Sequence, residues 1–144
     1  MKGLRRSMRD IKFRVWNGIY SEFENVMGLK FEKHLFAVLG EDEDERCLDN
    51  YDTPYILEQY TGLKDKNGTD VYEGDILSVS VDNGWDYLQN EFLPVVYSKL
   101  QAGFVCMSDS GMEFRLWNSD SFGYEYEVVG NVHENPELLE EDND

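Results

Sequence analysis

The chain has 144 residues, 41% of them hydrophobic and 14% aromatic, which suits one compact domain with its own core and excludes global disorder. Its formal net charge is -17 and uneven: residues 1–33 carry eight Lys or Arg against four acids, residues 34–144 five against twenty-six. So acidic a body repels phosphates, which argues against direct nucleic-acid binding by it.

The two cysteines, Cys47 and Cys106, form neither a disulfide framework nor a CxxC pair. No apolar run reaches membrane-spanning length, and the charged N-terminus is not followed by a signal-type apolar stretch. A soluble protein of a reducing cytoplasm is expected.

In chain order, residues 1–7 have no pattern and read as an extension, with Met8 a second possible start. "MRDIKFRVW" then alternates Ile11, Phe13 and Val15 against Lys12, Arg14 and Trp16, the period of a half-buried strand. Residues 19–39 are ambiguous. Ile19, Phe23 and Val26 fit a helical stripe, as do Phe31, Leu35, Val38 and Leu39, but Gly28 divides them. A helical segment and short strands both stay open, so the fold class is mainly β with α+β as the alternative. "EDEDE" at 41–45 reads as a solvated acidic loop rather than a cation site, since no internal glycine would converge its carboxylates.

After Pro54 the pattern is β. Strands are expected over 55–60, 70–72, 76–81, 92–97, 103–107, 113–117 and 124–130, rich in Val, Ile, Tyr, Phe and Trp and separated by turn residues. Many short strands with frequent turns suggest a small barrel or sandwich. Asn67-Gly68 is a hairpin signal that should pair 63–66 with 69–72. Gly74 permits a tight reversal, and Asp75 can accept a local backbone N–H. Asn135-Pro136-Glu137 is an N-cap, a first-turn proline and an acid, predicting a short helix or single turn through Leu138 and Leu139, before an acidic tail at 141–144.

Chemistry is scarce. An EF-hand loop from Asp65 fails, because Asp70 stands where glycine is needed and Ile76 where the last carboxylate belongs. Asp65, Glu73 and Asp75 are the candidates for hydrolytic acid–base work, but each also has a backbone reason to exist. His34 and His133 lie far apart, and His133 reads as a surface or capping residue. Cys106, in "GFVCMS", reads as a small buried hydrophobe. No catalytic, cofactor-binding or metal residue is assigned. Trp85, in the polar "DNGWDY", is the expected exposed aromatic, and Trp85 with Tyr87, Asp65, Glu73 and Asp75 makes up the expected contact surface.

"MRDIKFRVW", "QYTGLKDKNGTDVYEGDIL" and "EVVGNVHENPEL", in this order, resemble the three signature blocks of the YopX family of phage and prophage proteins. The resemblance runs from about Met8 to about Leu139. It implies a single domain over 8–140, with a C-terminal SH3-like β-barrel at about 55–131, in a bacterial host. It implies no established activity, so no catalytic residue is carried over.

The functional expectation is a non-catalytic accessory module that binds an unidentified protein. The alternatives are an acidic nucleic-acid mimic that blocks a DNA-binding protein, motivated by the -17 charge, and an unrecognised hydrolase. The charge asymmetry further predicts that Arg5, Arg6, Arg9, Lys12 and Arg14 dock on acidic surface, of the same body or of a second subunit, so a homo-oligomer is possible.

Overall fold

The computed structural model describes residues 7–48, 53–85, 87–118 and 123–140. The strands are β1 (Phe13–Asn17), β2 (Glu22–Phe31), β3 (Leu35–Leu39), β4 (Asp44–Cys47), β5 (Tyr55–Lys64), β6 (Asp70–Tyr72), β7 (Asp75–Asp82), β8 (Tyr87–Ser98), β9 (Gly103–Met107), β10 (Glu113–Arg115) and β11 (Tyr124–Asn131). A 3-10 helix (Pro136–Leu139) follows. The described strands form two antiparallel sheets, ordered β4-β3-β2-β1-β5-β6 and β10-β9-β8-β7-β11. The mainly β expectation holds, and the sheets do not close into one barrel. No helix among the described residues is long and apolar enough to cross a membrane.

The ambiguous stretch is β2 and β3. Its helical look has a cause: the register shifts between Val26 and Gly28, so one residue bulges. A bulge turns a period of two into a spacing of three. Val26 and Leu29 therefore reach the same core, around Val15, Ala37 and Leu39. The acidic run is a loop only at first, since Asp44 and Glu45 already pair with Leu39 and Val38. β4 comes round towards the start of β5: the Thr53 hydroxyl donates to the Cys47 carbonyl at 2.9 Å, and the Arg46 guanidinium lies 5.4 Å from the Tyr55 ring.

The second sheet has the larger core: Leu77, Val79, Val81, Leu93, Val95, Cys106, Phe114, Tyr124 and Tyr126, joined by Val71 from β6. Each fully buried Val or Leu contributes roughly 1.5–3 kcal/mol, so this core dominates stability. Cys106 is buried as expected, which pushes its thiol up to about 12. The hairpin from β5 to β6 caps the open side of this core, with the Lys66 amide donating to the Tyr126 carbonyl at 3.1 Å.

Candidate functional site

β1 differs most from expectation. Val15 is fully buried and Trp16 is 8% exposed, so both faces of the strand are covered rather than one. Arg14 and Trp16 share the face turned towards the second sheet. Cross-strand pairing sets Arg14 opposite Glu58 and Trp16 opposite Ile56.

The result is a polar cluster at the seam between the sheets. Arg14 Nε donates to Glu58 Oε1 at 3.0 Å, and Nη2 donates to Asp75 Oδ1 at 2.9 Å and to the Glu73 carbonyl at 3.2 Å. The guanidinium lies 4.1 Å from the Phe23 ring centroid and 4.7 Å from that of Tyr72. His133 Nε2 and Glu58 Oε2 are 3.0 Å apart, within hydrogen-bond distance. The ring stacks on Trp16 with centroids 4.7 Å apart and planes 7° off parallel. His133 is therefore part of the seam and not the surface or capping residue its sequence context suggests.

Gly74 closes the seam. Its φ is +82°, and an added Cβ would stand 2.0 Å from Glu58 Oε2. Its amide donates to the Val95 carbonyl at 2.9 Å, and its carbonyl accepts from the Val132 amide at 2.8 Å. The Glu73-Gly74-Asp75 turn thus locks β6 and β7 onto both sheets.

Asp75 Oδ2 accepts the Tyr72 amide at 2.8 Å, the local backbone bond its position predicts. Burial raises the Asp75 carboxyl above the usual range despite that bond and Arg14. Glu73 is raised as well, by burial against its bond from the Gln59 amide at 2.9 Å.

Asp65 serves a different junction and shares none of these bonds. It is 5% exposed, its Oδ1 accepts the amides of Asn67 and Thr69, and its Oδ2 accepts that of Val128, each at 2.9 Å. The hairpin is thus a carboxylate-centred loop in which only Gly68 has positive φ, pinned to β11 beside the bulge at Val128. The strands meet at Lys64 and Asp70 and at Tyr60 and Tyr72, so the pairing begins earlier than the Asn67-Gly68 signal implies. Asp70 bridges Lys12 at 2.5 Å and Lys64 at 2.6 Å, and these bonds, Lys12 first, hold its carboxyl below the usual range. Asn135 caps no helix through its side chain; its Oδ1 accepts the Asn131 amide at 3.2 Å.

The three acids named for hydrolysis are thus split. Glu73 and Asp75 sit at the seam, Asp75 with both carboxylate oxygens engaged and Glu73 with Oε1 on the Gln59 amide, and Asp65 holds the hairpin. No group of three or more His, Cys, Asp or Glu that could hold a metal ion occurs among the described residues. Trp85 and Tyr87 lie elsewhere, at the tip where β7 turns into β8, 94% and 70% exposed. The basic segment is fixed within its own chain at Lys12 and Arg14; Arg5 and Arg6 lie outside the described residues, as does the 141–144 tail.

The sequence pattern places Arg14 on acidic surface of its own body or of a second subunit, but does not name Glu58 as its partner and puts His133 at the surface. Glu58 left a trace, a charge between the apolar Ile56 and Tyr60 on one strand face, but only the register shows that it meets Arg14.

The family model described as YopX protein matches residues 12–140. The crystal structure of protein EF1440 from Enterococcus faecalis is similar, with a TM-score of 0.60 and 26% identity, covering 92% of this chain and 100% of that one. No curated protein matches the chain.

Proposed function

The chain belongs to the YopX protein family, and from that membership and its surface we propose that it is a non-catalytic accessory protein of phage or prophage origin. It acts in the cytoplasm of a bacterial host, as a module that binds another protein through the tip joining β7 and β8. We read the second sheet with its β5–β6 cap as an opened SH3-like barrel, since Val71 of β6 shares the core of that sheet.

The observation that carries this reading is Trp85, a large aromatic 94% exposed in the turn between β7 and β8. Exposed aromatics commonly anchor protein interfaces. Asn83 Oδ1 accepts the Trp85 amide at 2.9 Å, so the turn presenting the ring is itself hydrogen-bonded. The polar seam supports the non-catalytic part, because the carboxylates of Glu58 and Asp75 are closed on Arg14, His133 and the Tyr72 amide. The reading as a nucleic-acid mimic has less support, since Glu58, Asp65 and Asp75 are turned inward.

The test is co-purification from prophage-bearing cells with the wild-type chain and with Trp85→Ala and Tyr87→Ala. A stoichiometric protein partner retained by the wild type and lost with Trp85→Ala is expected. Recovery of no partner, or equal recovery by all three, overturns the reading.

A further inference from the structure

The outer face of the second sheet carries a groove of about 420 Å3, lying between β8, the turn from β9 to β10, and the 3-10 helix. Its lining is mixed, and its apolar part is Phe92 and Pro94 from β8 with Leu138 and Leu139 from the 3-10 helix. Acids line it at Asp109, in the turn from β9 to β10, and at Glu140, after the 3-10 helix, and no Lys or Arg lines it among the described residues. β8 is paired on both sides, to β7 and β9, so no free strand edge is offered there. Recognition in this groove must come through side chains: an occupant needs apolar bulk and positive charge, and phosphates are repelled.

The chain's own N-terminal segment has that chemistry. Lys2, Arg5, Arg6 and Arg9 surround Leu4 and Met8. Met8 is 92% exposed and Ile11 is 60% exposed on the approach to β1. The next two cations are engaged within the chain, Lys12 by Asp70 and Arg14 by Glu58 and Asp75. The basic stretch before them leads into a fixed strand while its Met8 side chain stands in solvent. We propose that residues 2–9 of one copy occupy this groove of a second copy, with apolar side chains over Phe92 and Leu139 and arginines against Asp109 and Glu140. This contact is separate from the Trp85 tip, so the two can fail independently.

The test is light scattering on the full chain at about 20 mM and about 0.5 M salt, because exposed charge contacts weaken as the Debye length shortens. Mass above the monomer at low salt and a return towards monomer at high salt are expected. Arg5→Glu with Arg6→Glu, and separately Asp109→Lys with Glu140→Lys, should each weaken association at least about tenfold, or about 1.4 kcal/mol. Combining all four in one chain should restore it, a gain that mere misfolding of either pair would not give. Trp85→Ala should leave association unchanged. A full chain that stays monomeric at low salt overturns the proposal, as does association indifferent to both reversals or not restored by their combination.

Discussion

Gly74 and Trp85 flank the two ends of β7 and invert each other's chemistry. At Gly74 charged side chains turn inward, and an added Cβ would stand 2.0 Å from a carboxylate oxygen. At Trp85 one of the largest apolar side chains turns outward, 94% exposed. Two of the three acids that resemble a catalytic set, Glu73 and Asp75, thus help bind one sheet to the other. The residues with no catalytic chemistry are left facing solvent, where a partner can reach them.

The largest effect should come from breaking the seam at its cation. Arg14→Ala leaves Glu58 and Asp75 buried without their counter-charge and should cost about 3–5 kcal/mol. Urea unfolding measures it. A loss under about 1 kcal/mol would mean that the seam is solvated and the contrast with the tip is false.

Gly74→Ala should cost about 1–3 kcal/mol or more, since it strains a positive φ and drives a methyl group into Glu58. The control is Gly84→Ala at the tip, where φ is +85° but no atom lies within 4 Å of the added Cβ. It should lose less than Gly74→Ala by the same measurement, and equal losses would assign the whole effect to φ.

Asp65→Ala leaves three amides without their carboxylate and should cost about 1–3 kcal/mol, with Asn67 and Thr69 showing faster hydrogen exchange than in the wild type. Unchanged exchange at both would show that the loop does not depend on Asp65.

Acid titration sharpens the comparison further. Asp75 and Glu73 have folded values raised by burial, so their contribution is fully present below the ordinary carboxylate value and is lost as pH rises through the raised one. Asp70 is depressed by Lys12 and Lys64, so its contribution is present above the ordinary value and is lost as pH falls through the depressed one. Carboxyl NMR should show Asp75 and Glu73 titrating above Asp70, with Arg14→Ala moving Asp75 further up. The reverse order would contradict the burial at the seam. The smallest effect is expected at the tip itself, where Trp85→Ala should change stability by no more than about 0.5 kcal/mol.

Much of the fold was legible because turn chemistry and period-two patterning act locally. The strands from β5 to β11 and the reversal at Gly74 follow from Gly, Asn, Asp and β-branched residues at fixed positions. The exposure of Trp85 was legible too, from its polar neighbours. β2 and β3 were not, because a bulge at Val26 and Gly28 makes a strand imitate a helix, and a bulge is set by the partner strand.

What the sequence determined by itself, then, was the β character, the turns and the division of charge, all properties of neighbouring residues. Only the tertiary structure decided where Arg14, Glu58, Asp75 and His133 converge, because 44 positions separate Arg14 from Glu58 and 61 separate it from Asp75. Period-two patterning says which residues share a face but not which strand stands opposite. Whether a buried charge is neutralised depends on that opposing strand.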